Sequence, residues 1–505
     1  MDKWYNVYIE EQRGIIVNKG PRLNNISKKF TTRDSLGIEG VATSISAEIC
    51  PIVNTVTPRP FYWAFIMWCY YDFYKNNDPK DRNSDNVYKY VKMQNYFLAL
   101  ASNIINVVSP NGFTGEDKIR HSGVDLNQNL FSYDEKYLDT TLSNMGYYPA
   151  GLYSMGFITD SDPETLKKFR YPHITPEGKK LAEAFDKVIC HTRYYKEYRM
   201  AITNIPRDAL IELGNNISIN LDGFDEVKKI LVKHLFEKES QKLLIESHNY
   251  LKYIFKNYKP NNFNNAKCRE IFYDYFSPYS KNKYNYPEEL KEIINDWEIV
   301  VGRQYFTSGL EMIWKYMLEN LSSPKTYKKW FNDCLNNSEI KFNLNDRLGL
   351  FALLCDFSYI ERENMIADAK SKNSNHKLNI ENGIKIILSV YNRFHNRPDF
   401  SKDSNNYYNY GMDNSSISLN EFFKLVENYK DKSIEEFIKY IMYHYLLKQH
   451  MNTAFEKMLQ DRDGYYIERI EDKYLRKENF DLDFQGIRMV QLSMVMKDLN
   501  VLEDE

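Results

Sequence analysis

Three charged side chains late in the sequence have the order of a metal-dependent nuclease site. Asp463 comes first, and Glu471 and Lys473 follow with one residue between them. In such a site carboxylates hold a cation that activates water, and a lysine stabilises the charge that develops in the reaction. Asp463, Glu471 and Lys473 are therefore candidate catalytic residues. The same order also arises by chance in a chain with 27% charged residues, so the alternative is a strand without catalytic function.

A second group of candidates consists of cations suited to nucleic-acid phosphates. They lie on or beside a predicted β-hairpin and on the helix that follows it: Lys167, Lys168, Arg170, Lys179, Lys180, Arg193, Lys196 and Arg199. Acidic neighbours reduce the local charge: Asp160, Asp162, Glu164, Glu177 and Glu183. The pattern predicts contact with double-stranded DNA, and the alternative is a solvated or protein-docking surface.

Other combinations of reactive side chains give less support to a catalytic site. Arg393, His395 and Arg397 form a basic cluster that suggests a ribonuclease-like site, although a helix C-terminus also favours cations. His444 and His450 are six residues apart, which does not place two metal ligands on one helix face. The sequence contains no phosphate-binding glycine loop, nucleotide fingerprint, nucleophile elbow or H-E-x-x-H motif. We therefore predict no metal and no cofactor.

A dense apolar run organises the N-terminal part of the chain. From Thr57 onwards, aromatic and aliphatic residues occupy every helical face through Cys69, which predicts a helix surrounded by protein. Thr57 can cap that helix, and Pro58 suits its first position. The run is shorter than the roughly 20 apolar residues that a membrane span needs. We therefore expect no membrane contact.

Two segments predict small mixed modules. Residues 132–192 indicate two helices around a turn at Pro149, a polar hairpin, and a helix opened by Ile174-Thr175-Pro176-Glu177-Gly178. This order resembles the way in which many winged-helix domains close their wing. Residues 433–499 indicate a long helix, a strand from Tyr465 to Ile470 and a last helix.

The predicted fold class is mainly α with small α+β winged-helix-like modules, in a multidomain chain. Composition shifts and turn-rich connectors suggest the boundaries. The predicted domains are an N-terminal helical domain (1–110), a winged-helix-like domain (111–195), a helical middle region (196–410) and a C-terminal helical and β-hairpin module (411–505).

The N-terminal motifs resemble a known group of sequences. Asp34-Ser35-Leu36-Gly37-Ile38 is followed by Cys50-Pro51 and then by the run from Thr57 to Trp68, which contains Arg59. This succession resembles uncharacterised bacterial proteins found in anti-phage defence islands, and the segment from His450 to Leu499 resembles their last domain more loosely. Ile52 and Phe61 depart from the pattern, where glycine and a second arginine are expected. The resemblance implies a role in defence and no catalytic group.

Charge and cysteine usage narrow the predicted function. The formal charge of -2 provides no global attraction to nucleic acid. Six scattered cysteines indicate free thiols in a reducing cytoplasm. We predict a cytoplasmic, non-catalytic DNA- or partner-binding subunit of a bacterial anti-phage defence system, with other protein subunits and double-stranded DNA as candidate partners. The alternatives are a metal-dependent nuclease effector that uses the C-terminal hairpin and a purely structural protein–protein adaptor.

Overall fold

The chain is mainly helical, as the sequence predicts. A computed structural model describes residues 34–56, 59–105, 112–134, 142–161, 168–275, 285–371, 376–397, 407–410, 417–459, 463–482 and 486–502. Strands in these residues form only small antiparallel sheets. None of the described helices combines the length and the apolar character that a bilayer crossing needs.

The helices follow one another along the whole described chain. They are α1 (Glu39–Ile49), α2 (Phe61–Asn76), α3 (Ser84–Ile104), α4 (Glu116–His121), α5 (Leu142–Met155), α6 (Pro176–Ile189), α7 (Arg207–Asn216), α8 (Asp225–Phe236), α9 (Lys242–Tyr258), α10 (Asn265–Glu270), α11 (Lys291–Glu319), α12 (Tyr327–Asn337), α13 (Leu348–Leu353), α14 (Tyr359–Lys370), α15 (Asn379–Phe394), α16 (Leu419–Tyr429), α17 (Ile434–Tyr440), α18 (Lys448–Leu459) and α19 (Arg488–Asp498). Segments of π-helix occur at Tyr194–Tyr198, Ile271–Tyr275 and Ile441–Leu447.

The strands pair in three groups within the described residues. They are β1 (Leu130–Phe131), β2 (Ile158–Ser161), β3 (Lys168–Ile174), β4 (Ile205–Pro206), β5 (Lys325–Thr326), β6 (Ile467–Ile470) and β7 (Lys473–Arg476). β1 pairs with β4, β2 pairs with β3, and β7 lies between β5 and β6. Both predicted hairpins are therefore present, as β2–β3 and β6–β7.

Helix α2 is the buried helix that the apolar run predicts. Every residue from Phe61 to Tyr70 is buried, and the ring of Phe61 lies 5.3 Å from Phe113 and 5.5 Å from Phe185. Aromatic pairs at these separations contribute beyond the area that they bury. The helix begins at Phe61 after Pro60. The predicted start at Thr57 and Pro58 lies outside the described residues.

The segment before the first hairpin differs from its prediction. Helix α5 continues through Pro149, where a turn was expected. The predicted helix from Ser132 is absent over its described start, because the backbone N–H of Tyr133 donates to Ile202 O at 2.8 Å and residues 132–134 are not helical. After the hairpin, Thr175 caps α6 as expected: its hydroxyl accepts a hydrogen bond from Gly178 N at 3.1 Å.

The N-terminal motifs contact the C-terminal elements directly. Arg59 is buried, and its Nη1 donates to both carboxylate oxygens of Asp498 at 2.9 and 3.0 Å and to Asn220 Oδ1 at 2.9 Å. Lys457 donates to Asp34 O at 2.7 Å. The arginine of the N-terminal motif is therefore an internal structural group.

Buried residues from Leu36 to Leu502 form one continuous apolar cluster. All four predicted domains contribute to it, and the predicted boundary between residues 195 and 196 falls inside the π-helical segment Tyr194–Tyr198. The boundaries at 110/111 and 410/411 touch residues outside the described chain. The division into domains stays a prediction.

His450 lies in the interior, where α18 meets the first described turn. Its Nε2 accepts the backbone N–H of Tyr466 at 3.2 Å, so Nδ1 carries the proton and donates to Ser35 O at 3.0 Å. The ring also packs 4.9 Å from Trp314. Burial lowers the pKa of His450 to about 4, and the nearby Lys457 cation acts in the same direction.

This histidine predicts acid sensitivity. A pKa of about 4 when folded against the ordinary 6.5 means that stability is complete above pH 6.5 and is lost as the pH falls towards 4. Between pH 7 and pH 5 the expected loss from this residue is about 2 kcal/mol. Guanidinium denaturation of wild type and His450→Gln at both pH values checks it. The difference between the two proteins cancels the other titrating groups, and equal pH dependence would contradict the prediction.

Candidate binding surfaces

The predicted wing is an antiparallel hairpin with an irregular register, and it lies between α5 and α6 in the chain. Ile158 pairs with Ile174 and Thr159 with His173, and the register shifts before Ser161 pairs with Lys168. Lys168 and Arg170 therefore lie on β3, whereas Lys167 lies outside the described residues. Hairpin and helix form the order that the sequence predicts, but a complete winged-helix module stays a prediction.

The cations on helix α6 are already paired with carboxylates. Lys179 Nζ lies 3.6 Å from Glu183, and Lys180 Nζ lies 2.6 Å from Glu177. Both are exposed pairs within one helix, which contribute little to stability. They nevertheless reduce the positive potential that this face would present to a phosphate.

The cations after α6 are mostly paired as well. Arg193 lies 3.1 Å from Glu197 and 2.8 Å from Asp208. Arg199 lies 3.2 Å from the buried Asp72 and stacks 4.4 Å from the ring centroid of Tyr195. Lys196 is exposed. The structure thus brings Arg193, Lys196 and Arg199 to one segment, but two of these three cations hold carboxylates of the same chain.

The C-terminal hairpin separates the candidate nuclease residues. Asp463 lies at the open end, where it holds Lys477 at 2.5 Å. Glu471 lies at the tip with a left-handed φ of 56°, and Lys473 begins the returning strand. The four residues of β6 between the two ends span about 10 Å. Asp463 and Glu471 therefore do not converge on one cation, and no group of three metal-ligating side chains occurs among the described residues.

The other basic cluster is part of the core. Arg393 and Arg397 donate to Glu298 Oε1 at 2.7 and 2.5 Å, inside the protein. His395 stacks 4.0 Å from the Tyr391 ring and contacts Tyr391 O at 2.8 Å. Both arginines form an internal ion pair with Glu298. They are therefore not arranged as a ribonuclease-like site at the surface.

The surface feature that the sequence did not single out is an exposed apolar patch on α13 and the start of α14. Leu350, Leu353, Leu354 and Ile360 are 66%, 72%, 75% and 67% exposed. We call these four residues the leucine patch. Leu348, Phe351 and Ala352 turn the other face of α13 into the core, so an apolar run that looks like core sequence is covered on only one side.

Charges border the leucine patch unevenly. Asp356 and Glu361 are exposed between Leu354 and the first turn of α14. Glu361 closes a capping box with Ser358, and the hydrogen bond from the Ser358 backbone holds the pKa of this carboxyl below its usual range. The other end is basic, with Arg347 and Lys430 beside α13. The patch therefore has an apolar centre with one acidic and one basic end.

No family model, curated protein or solved structure matches this chain. The resemblance of the N-terminal motifs to anti-phage defence proteins thus stays a prediction. The six cysteines are free thiols, and all except Cys190 are buried.

Proposed function

We propose that the chain is a non-catalytic subunit that docks onto a partner protein through the leucine patch. The observation that carries the proposal is the exposure of four large aliphatic side chains within eleven residues. Soluble monomers rarely present contiguous apolar surface of this kind unless it serves an interaction. A bacterial anti-phage defence system is the setting that the N-terminal resemblance implies.

Burial of the patch provides a sufficient driving force. Complete burial of an aliphatic side chain of this size contributes about 1.5–3 kcal/mol. Several such groups in the centre of an interface are the usual source of affinity, and charged residues at the rim select the partner. The partner surface is accordingly apolar, with cations opposite Asp356 and Glu361 and an acidic group opposite Arg347.

Pairing of the wing cations favours a protein partner over DNA. Phosphate binding depends on cations that release counterions from the nucleic acid. Lys179, Lys180, Arg193 and Arg199 each hold a carboxylate of this chain. Phosphates of duplex DNA would compete with these carboxylates for the same cations, whereas the leucine patch has no such competitor.

The test is affinity purification of the tagged full chain from its source cells, with the variant Leu353→Asp/Leu354→Asp alongside. We expect a stoichiometric partner whose recovery falls at least about tenfold in the variant, because two buried leucines are replaced by charges. Crosslinks from Lys430 to that partner would locate the contact. Leu130→Asp, which charges an exposed leucine on β1, is the matched control and retains the partner.

Three results would contradict the proposal. If the partner is still recovered with the double variant, it binds to a surface other than the leucine patch. A dimer in sedimentation that the double variant abolishes makes the occupant a second copy of the chain. Salt-sensitive retention of duplex DNA, or its magnesium-dependent cleavage, by a protein that recovers no partner favours the DNA-binding or nuclease alternative.

A further inference from the structure

A second feature lies on α16 and the helices after it. It is a pocket of about 440 Å³ between α16, the π-helical segment Ile441–Leu447 and α18. Pockets of this volume suit small organic molecules. The lining is mostly polar and includes Glu421, Lys424, Asn428, His444, Lys448 and Asn452.

The described lining of the pocket carries net positive charge. Lys424 and Lys448 are exposed on its two sides, and in the described part of the chain neither ammonium has a carboxylate partner. Among the described lining residues Glu421 is the single carboxylate, and its Oε2 already accepts hydrogen bonds from Ser418 N and Oγ at 3.2 Å. The amide of Asn428 adds a hydrogen-bond donor.

A buried arginine lies behind the pocket wall. Arg303 on α11 is 1% exposed, and within the described residues none of its three guanidinium nitrogens has a hydrogen-bond partner. Its guanidinium contacts the ring of Phe306 at 5.1 Å, and aromatic contacts continue through Phe422 to Tyr445 of the pocket wall. An unpaired buried cation is costly, and it adds positive potential to the pocket.

The carboxylates near Arg303 are occupied by helix starts. Asp34 accepts hydrogen bonds from the backbone N–H groups of Ile38 and Gly40 at 2.8 and 3.1 Å, and Glu421 accepts hydrogen bonds from the backbone N–H and the hydroxyl of Ser418. Burial lowers the pKa of Arg303 to about 9, with Asp34, Tyr445 and Glu421 opposing the shift. The guanidinium is therefore still charged at neutral pH.

The π-helical segment shapes the remaining wall. Seven residues of π-helix are rare, and such insertions concentrate at functional sites. The segment turns His444 into the pocket, where its ring stacks 4.2 Å from Tyr440. Burial, with the Lys448 cation, lowers the pKa of His444 to about 4, so the ring is neutral at pH 7. It offers a flat surface beside the two ammonium groups.

We propose that this pocket binds a small organic phosphate, with Lys424 and Lys448 holding the phosphate and the Tyr440–His444 stack facing the organic part. Lysine ammonium groups bind phosphate as point charges, and neutral aromatic rings accept a flat organic group. The volume exceeds what one inorganic phosphate fills. A nucleotide has this combination of charge and flat ring.

The experiment is calorimetric titration of the full chain with AMP, with pyrophosphate and with sulfate. We expect AMP to bind and Lys424→Gln/Lys448→Gln to weaken it at least about tenfold, because charge-assisted hydrogen bonds are lost. Lys329→Gln/Lys439→Gln removes two charges on α12 and α17, outside the pocket and the leucine patch, and leaves the affinity unchanged. Arg303→Met is expected to weaken binding too, but the lysine variant decides the test because those side chains are exposed.

The outcomes separate cleanly. If AMP binds more tightly than pyrophosphate, the result supports an organic phosphate as the ligand. If pyrophosphate binds as tightly as AMP, the Tyr440–His444 stack contributes nothing to affinity, and that part of the proposal is overturned. Sulfate as tight as AMP, no binding at millimolar concentration, or an unchanged affinity in Lys424→Gln/Lys448→Gln overturns the site. None of these results depends on the leucine patch.

Discussion

Replacing Glu298 with alanine is expected to destabilise the protein by about 3–5 kcal/mol. The carboxylate is fully buried and accepts hydrogen bonds from Arg393 Nε and Arg397 Nη2. Its removal leaves the buried guanidinium of Arg397 and the half-buried guanidinium of Arg393 without this carboxylate, and their like charges then repel. Guanidinium denaturation at pH 7 measures the loss.

A surface pair provides the control for Glu298. Glu435 lies 2.6 Å from Lys439 on α17, partly exposed, and Glu435→Ala should cost less than about 1 kcal/mol. The triple variant Glu298→Leu/Arg393→Met/Arg397→Met should recover most of the loss, because an apolar replacement removes all the buried charges together. A cost for Glu298→Ala similar to that for Glu435→Ala would show that the buried ion pair is not needed.

Gly383→Ala is expected to cost about 2–3 kcal/mol through overpacking. Helices α11 and α15 approach closely at Gly309 and Gly383. A Cβ at Gly383 would lie 2.5 Å from Gly309 O and 2.6 Å from Ile313 Cγ1. These distances require the two helices to separate. The penalty outweighs the roughly 1 kcal/mol that alanine gains over glycine in a helix interior.

Gly40→Ala is the matched control for Gly383. Gly40 is also helical, but a Cβ there meets only Asp34 Oδ2, at an ordinary 3.7 Å. Its replacement should be neutral or stabilising, by up to about 1 kcal/mol. Equal denaturation midpoints for the two alanine variants would contradict the close approach of α11 and α15.

Short sequence patterns were sufficient to predict the elements that depend mainly on residues close together in the chain. The run from Phe61 is apolar on all faces, and it forms a helix buried on all faces. Thr175 followed by Pro176 begins a helix, and the residues before it form the predicted hairpin. Pro149 misled the prediction because a turn residue carries no information about the neighbours that keep α5 helical around it.

The interior of α11 could not be predicted in the same way. Glu298, Arg303 and Glu311 are polar residues buried on this helix. The partners of Glu298 lie 95 and 99 residues further along the chain, and no periodicity links them. A polar residue in a helical pattern normally indicates a solvated face, so the helix appeared uninformative.

The candidate sites show the same limit. Counting cations near the wing did not reveal that Arg199 holds Asp72, which is 127 residues away. The leucines of α13 were indistinguishable from core residues, because an apolar run does not state how many of its faces are covered. Hydropathy indicates that a side chain favours burial, and only the tertiary structure shows whether that side chain is buried.

The contact between the two ends of the described chain has a consequence for biosynthesis. Arg59 and Asp498 are 439 residues apart. At a translation rate of about 5–20 residues per second, Arg59 waits roughly 20 to 90 seconds for its counter-ion. Long-range contacts of this kind also slow folding. The core around Arg59 therefore stays incomplete during synthesis until α19 has been made.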